Sequence, residues 1–465
     1  MAMRDRFRLV LISAALAAIA APAAVPQPAN AAAETAAREA ASPVGSLTAA
    51  SAIQPGSVNR TSINLTATYA VDASIAVGTG VIRVATTISA RNDSGADIDR
   101  IELNTIATRL GGIAITAASV DGTAVTPSLV DQTIRVPLGG VLPSGETVQV
   151  YLAYRATLRT SLYGSSWMFT RYGGTLSLYR WIPWVSLARP FDRPNHGDPF
   201  ITGTSPEVKV HLTLDKPRVV AAAVKWLPTG ASKTWSFTVR NVRDVSLVAA
   251  PDFTVSTRYV DGVQIRAYSR PGGVLGGKLA DLTKLAVHRE ATQLGTAYPW
   301  PSLFAVETAG GYGLESPGLI WIPKNTLSGN LSYLVHHEVA HQWFYGLVGN
   351  DQQREPFADE AAADLLARTV LGTLRTSRCA LDDLDRTITG YSSSCYYETI
   401  YIQGGKLLNL LRQKMGTTLF WATMRSYVEA NRFQIGSTKD LLDTLRAASP
   451  VDLTPSLEAR FPSLY

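Results

Sequence analysis

The spacing of apolar residues changes once along this chain, near Gly277, and that change limits what the chain can fold into. Before it, apolar and polar residues alternate. Ile82, Val84 and Ile88 form one such run, Val148, Val150 and Leu152 a second, and Val208, Val210, Leu212 and Leu214 a third. A period of two places one set of side chains on one face of a strand, which puts His211 on the opposite face with Lys209 and Thr213. Turn-forming stretches punctuate these runs: Arg91-Asn92-Asp93-Ser94-Gly95, Asp121-Gly122, Pro143-Ser144-Gly145 and Asp261-Gly262. After Gly277 the spacing is helical over 279–294, 331–347, 360–371, 404–415, 418–430 and 439–447, with short strands at 303–307 and 319–322. The expected fold class is α+β and multidomain. An all-β saddle or sandwich over residues 59–268 is followed by a mostly α domain with a small sheet over residues 269–465.

The N-terminal residues carry a different message. Arg4, Arg6 and Arg8 precede an Ala-rich apolar stretch from Leu9 to Ala24, and Ala29-Asn30-Ala31 offers small residues for cleavage. Residues 1–31 therefore read as a signal peptide, with an uncleaved anchor as the alternative. Residues 32–58, rich in Ala, Ser, Pro and Gly, read as a flexible leader. No later stretch has the length and polarity of a membrane span, so the expectation is a secreted protein without stable membrane insertion after signal cleavage. In that compartment Cys379 and Cys395 are expected to pair, two free buried thiols being the alternative. Apolar residues at 46% and charged residues at 17% exclude a disordered chain. The net charge of +6 is scattered, without the basic stripe and interleaved aromatics of a nucleic-acid surface.

His337-Glu338-Val339-Ala340-His341 is the segment that carries chemistry. On a helix, residues four apart lie on one face, so both imidazoles can reach one ion. Glu338 is rotated about 100° from His337, within reach of a water beside that ion. His336 is out of this frame, because its partner four residues on is Ala340, and it reads as structural or exposed. Glu360 follows His341 after eighteen residues, just past Pro356, where a second helix can fold back and present a carboxylate. Two His and one Glu would leave the fourth position of a tetrahedral zinc open to water. A carboxylate favoured by the helix dipole is the plainer reading of Glu360.

The stretch from His337 to Phe344, with Phe357-Ala358-Asp359-Glu360 at that spacing, resembles the aminopeptidase N family of gluzincin peptidases. Gly311-Tyr312-Gly313-Leu314-Glu315-Ser316-Pro317-Gly318 is similar to the family's exopeptidase motif. Tyr401-Ile402-Gln403-Gly404 is similar to the segment bearing its catalytic tyrosine. Val242-Arg243-Asp244 through Pro251-Asp252-Phe253 also reads like the end of the family's β domain. The resemblance implies a thermolysin-like catalytic domain holding one Zn2+ per chain on His337, His341 and Glu360. It implies peptide or protein substrates, Glu338 as general base, Tyr401 as hydrogen-bond donor to the oxyanion, and Glu315 as partner of the substrate's α-ammonium. Departures are Leu314 and Ser316 in the exopeptidase motif and Gln403 where Lys is usual; they bear on substrate preference and amine recognition rather than on the metal site. The chain ends soon after Tyr401 without the family's large helical C-terminal domain, so an open site tolerant of longer peptides is expected. An endopeptidase on the same scaffold and a catalytically silent binding protein are the competing readings.

Overall fold

The computed structural model describes residues 51–189, 200–223, 227–274 and 276–465. The stretch read as a signal peptide and most of the leader lie outside the described residues. Residues 51–58, grouped with the leader by composition, lie against the first sheet system. Gln54 and Val141 exchange both backbone hydrogen bonds at 2.8 Å, and the Asp99 carboxylate accepts from the backbone N–H groups of Val58, Asn59 and Arg60.

Alternation becomes a strand-rich half, as expected. Leu65–Ala76 and Val81–Asn92 form a long antiparallel pair, extended by Thr147–Thr157 on one side. On the other side Val208–Ala222 runs parallel to Leu65–Ala76 and belongs to the same ten-stranded sheet. Along Val208–Leu214 every second residue is buried, and His211 is exposed on the other face. A four-stranded sheet that includes Ile98–Asn104 and Thr133–Leu142 packs its apolar side chains into the same core.

A third, five-stranded sheet separates the two halves of the molecule. Its strands run in the order Thr254–Val260, Val263–Ser269, Ser302–Thr308, Leu319–Pro323 and Leu314–Ser316. The hairpin Thr254–Ser269, which its alternation groups with the strand-rich half, pairs in parallel through Gln264–Tyr268 with Ser302–Val306. The two faces of this sheet serve two cores. Tyr268, Phe304, Val306, Leu319 and Trp321 face the strand-rich core. Ile265, Ala267, Leu303, Ala305, Ile320 and Ile322 face the helices. A sheet covered on both sides reads as a continuous apolar run, which is the pattern of its central strands.

The helical half follows the expected order. Gly276–Leu294 buries Leu279, Ala280, Thr283, Ala286, Val287, Glu290 and Leu294, the stripe of an amphipathic helix. Ser328–Ala340 buries Leu331, Val335 and Val339 and presents the histidines beside them. That helix is shorter than its sequence period suggests, ending at Ala340 rather than at Leu347. Tyr345 adopts φ 117°, which no helix accommodates, and Gly346 N–H bonds back to His341 O at 2.8 Å. Trp343, Phe344 and Tyr345 are buried, as expected of core aromatics. Cys379 and Cys395 are joined in a disulfide. Among the described residues no helix is long and apolar enough to cross a membrane.

A buried polar cluster ties the strand-rich half to the turn after His341. Tyr345 donates to Asp244, Ser316 donates to the other oxygen of Asp244, and Arg180 donates to the Tyr345 hydroxyl. Arg243 gives its three kinds of guanidinium N–H to Gly346 O, Thr202 O and Gln434 O at 3.2, 2.8 and 3.1 Å. Gln342 completes the link, accepting from Gly318 N–H at 2.8 Å and donating to Ser316 O at 3.1 Å. The end of the histidine helix and the edge strand Leu314–Ser316 are thereby held in one frame.

Candidate active site

Three donor atoms from two elements converge beneath a cavity. His337 Nε2 and His341 Nε2 lie 3.1 Å apart, and Glu360 Oε2 lies 3.3 Å from the first and 3.2 Å from the second. A tetrahedral ion with ligands at about 2.0–2.1 Å would space its donors about 3.3–3.4 Å apart, so this triangle fits a metal of zinc's size. Helix geometry supplies the two imidazoles. The third donor comes from Phe357–Ala361, a π-helical turn leading into the helix Ala362–Leu371. Such wide turns recur at functional sites, and here the turn brings both Asp359 and Glu360 up to His341.

Asp359 belongs to the same cluster, which its sequence context does not reveal. His341 Nδ1–H donates to Asp359 Oδ1 at 2.6 Å, which leaves the Nε2 lone pair facing the other donors. Gln352 Nε2 donates to Asp359 and also to Glu315 Oε1 at 3.3 Å, linking the two carboxylates through one amide. Glu315, His341 and Asp359 form a second group close enough to share an ion, but in that group the imidazole Nδ1 is already bonded to Asp359.

Glu338 sits beside the triangle, buried, with Oε2 lacking a hydrogen-bond partner among the described residues. Its other oxygen presses against Gly313, where an added Cβ would stand 2.1 Å from Oε1. Burial pushes the Glu338 carboxyl up to about 7, the imidazoles of His337 and His341 pulling down and the carboxylates of Glu360 and Asp359 pushing up. Glu315 is raised well above the ordinary range, first by burial and then by the neighbouring carboxylates, against the pull of His341. Glu360 moves the other way. Burial disfavours its charge, but His341 and His337 outweigh that and hold it at about 2. Burial also disfavours charge on His341, yet Asp359, Glu315 and Glu360 raise it well above its usual value. So many buried carboxylates around two imidazoles suit a bound cation.

Tyr401 stands on a second π-helical segment, Glu398–Gln403, with its ring 5.3 Å from the His337 ring. Burial first, then Glu360 and Tyr396, raises its hydroxyl far above 10, so it stays a proton donor. Gly404 permits this placement, because a Cβ there would stand 2.7 Å from the Ala361 Cβ. Gln403, at the position of the unusual residue, is buried and donates to Ala380 O at 2.7 Å while accepting from Arg460 at 2.8 Å. It therefore pins the disulfide loop beside Tyr401. His336 is fully buried and bonded to Ser332 O at 2.8 Å, a packing residue. His288 is exposed and paired with Asp261.

The cavity above the triangle measures about 420 Å³. Trp167, Met168 and Tyr179 of the strand-rich half form one wall, Tyr312 to Glu315 another, and Tyr396, Tyr397 and Tyr401 a third. All six residues singled out in the sequence (Glu315, His337, Glu338, His341, Glu360 and Tyr401) line this one space.

No family model matches the chain. It is similar to Aminopeptidase M1 of Arabidopsis thaliana, 22% identical over 41% of this chain and 26% of the relative. It is also similar to Aminopeptidase M1-D of Oryza sativa subsp. japonica, 22% identical over 72% of this chain and 43% of the relative. The chain thus spans less than half the length of these relatives. Among solved structures it is similar to a mutant M1 zinc metallopeptidase from Deinococcus radiodurans bound to a Tyr-Ser-Ala substrate. There the TM-score is 0.65 and identity 19%, over 88% of this chain and 96% of that one. A two-domain M1 zinc metallopeptidase mutant bound to L-tryptophan gives the same TM-score, identity and coverage. This chain thus shares the two-part fold of these M1 zinc metallopeptidase structures, and its sequence likeness to the plant aminopeptidases extends over 41–72% of its length.

Proposed function

We propose that the chain is a secreted zinc aminopeptidase, with His337, His341 and Glu360 as ligands of one zinc ion. The observation that carries this reading is the triangle of donors 3.1 to 3.3 Å apart, with Glu338 and Glu315 facing the same cavity. When bound, zinc supplies a Lewis acid that polarises a carbonyl and makes water a better nucleophile at neutral pH.

The chain's own residues do the remaining work. Glu338, held against Gly313, takes the proton of the attacking water at its carboxylate and passes it to the leaving amine. Tyr401 donates a hydrogen bond to the oxygen of the scissile carbonyl as negative charge develops there. Glu315, on the edge strand and steadied by Gln352, pairs with the free α-ammonium of the substrate. A carboxyl raised by burial gains its charge when an ammonium arrives, so the site favours chain ends over internal peptide bonds. The Tyr-Ser-Ala peptide in the related structure supports peptides as the substrate class. Secretion is supported by the basic and apolar N-terminal pattern and by the disulfide, which oxidising compartments favour.

The test uses matched peptides with free and acetylated N-termini. The free peptide is expected to lose residues one at a time in a chelator-sensitive reaction, with the acetylated peptide untouched. Efficient cleavage of the acetylated peptide would instead establish an endopeptidase. Glu338→Gln is expected to lower kcat by about 10²–10⁴-fold with zinc still bound. Full activity in that variant would remove Glu338 from the reaction.

A further inference from the structure

The two imidazoles of the triangle are held in place by different means. His341 has the Asp359 carboxylate on Nδ1. His337 Nδ1 is buried with no hydrogen-bond partner among the described residues, so no acceptor fixes the plane of its ring. Aromatic rings lie beside it instead. Tyr333, one turn earlier on the same helix, stacks with its centroid 5.7 Å away and its plane tilted by 28°. Tyr401 lies at 5.3 Å and 31°.

The Tyr333 ring is itself clamped from the helix that follows Glu360. Its hydroxyl donates to Asp364 Oδ1 at 2.5 Å. Arg368 Nε donates to both Asp364 oxygens, at 2.9 and 2.8 Å, and the guanidinium carbon stands 4.2 Å from the Tyr333 ring centroid. Arg368 also donates to the Tyr397 hydroxyl at 3.2 Å, and that hydroxyl donates to the Tyr333 oxygen at 3.2 Å. The Tyr397 ring lies 4.7 Å from Tyr401. Asp364 and Arg368 thus fix both Tyr333 and the tyrosine packed on Tyr401.

We infer that Tyr333 is a positioning residue that sets the orientation of His337 toward the metal through ring stacking, with Asp364 and Arg368 as its anchor. This rests on the reading of His337 as a zinc ligand. Where a neighbouring carboxylate usually orients a metal-binding histidine, this chain uses a clamped aromatic ring for one of its two.

Zinc dissociation constants by chelator competition, together with the visible spectrum of the cobalt-loaded protein, test the inference. Tyr333→Leu removes the ring and is expected to weaken zinc binding about 10–100-fold and to alter the cobalt spectrum, as losses around metal ligands do. Tyr333→Phe keeps the ring and is expected to restore most of the affinity and the wild-type spectrum. A folded Tyr333→Leu protein with wild-type affinity and spectrum would overturn the inference. Should that variant fail to fold, Arg368→Gln, remote from the metal, provides the second reading. Zinc release several-fold faster than wild type supports the clamp, and unchanged release overturns it. Wild-type protein that binds no zinc would defeat the metal site itself; wild-type binding with indifferent variants would defeat the role of Tyr333 alone.

Discussion

Two buried polar clusters lie close together in this molecule, and they differ in how their atoms are satisfied. In the cluster that joins the two halves, both oxygens of Asp244 and all three kinds of Arg243 nitrogen have protein partners. In the cluster beneath the cavity, Nε2 of His337, Nε2 of His341 and Oε2 of Glu360 face one another. Glu338 Oε2 and His337 Nδ1 have no hydrogen-bond partner among the described residues. Folding tolerates few orphaned polar atoms, so convergent ones imply something else to bind, whereas a satisfied cluster implies a frame. The first cluster holds the strands and the edge bearing Glu315 in register; the second leaves its donors turned toward one another beneath the cavity.

Breaking the satisfied cluster has the largest expected effect. Asp244→Ala removes the buried carboxylate that accepts from Tyr345 and Ser316 and lies 3.8 Å from the Arg180 guanidinium, and is expected to cost about 3–5 kcal/mol, read as a fall in Tm or in the denaturant midpoint. A loss below 1 kcal/mol would deny this cluster its structural role. Gly313→Ala attacks the other cluster from its edge. The new Cβ collides with Glu338 Oε1, and displacing a base by about 1 Å is expected to lower kcat about 10²-fold with zinc content unchanged. Unchanged kcat would mean that the contact with Gly313 does not position the base.

Asp359→Ala removes the carboxylate that orients His341 and that also accepts from Gln352. Zinc binding should weaken by about 10–100-fold, measured by chelator competition, and unaltered affinity would assign Asp359 to packing. The smallest expected effect lies far from both clusters. Burial works against the charge of Asp99, but the Ser57 hydroxyl and three backbone N–H groups hold its carboxyl at about 2. A depressed folded-state value means that its contribution is full above about 4 and fades as pH falls through 2. Asp99→Asn is expected to cost about 1 kcal/mol at pH 7, as loss of a helix cap does, and the difference from wild type should vanish near pH 2. A difference that stays constant across that range would show that the contribution does not come from charge.

The same contrast explains how far the sequence could be read. The convergence of His337, His341 and Glu360 was legible because two of its members are set by local helix geometry and the third by a recognisable spacing. The alternating period likewise marked three strands of the first half, Val81–Asn92, Thr147–Thr157 and Val208–Ala222, and the helical period marked five of the helices closely. Asp359 was not legible, because its reach depends on a π-helical turn that no residue pattern announces. The joining cluster was hidden for another reason: Arg180 and Tyr345 are 165 positions apart, and Ser316 and Asp244 are 72. The apolar period overextends the histidine helix, because Trp343, Phe344 and Leu347 continue it past Ala340, where the backbone leaves the helix. Tyr333 had no sequence signal, since an aromatic one turn before a histidine is ordinary on a packed helix.

The site itself is tested most directly by anomalous diffraction at the zinc edge from crystals of the purified protein. One peak is expected at about 2.0–2.2 Å from His337 Nε2, His341 Nε2 and Glu360 Oε2. An empty triangle in zinc-replete protein, or a peak held instead by Glu315, His341 and Asp359, would contradict it.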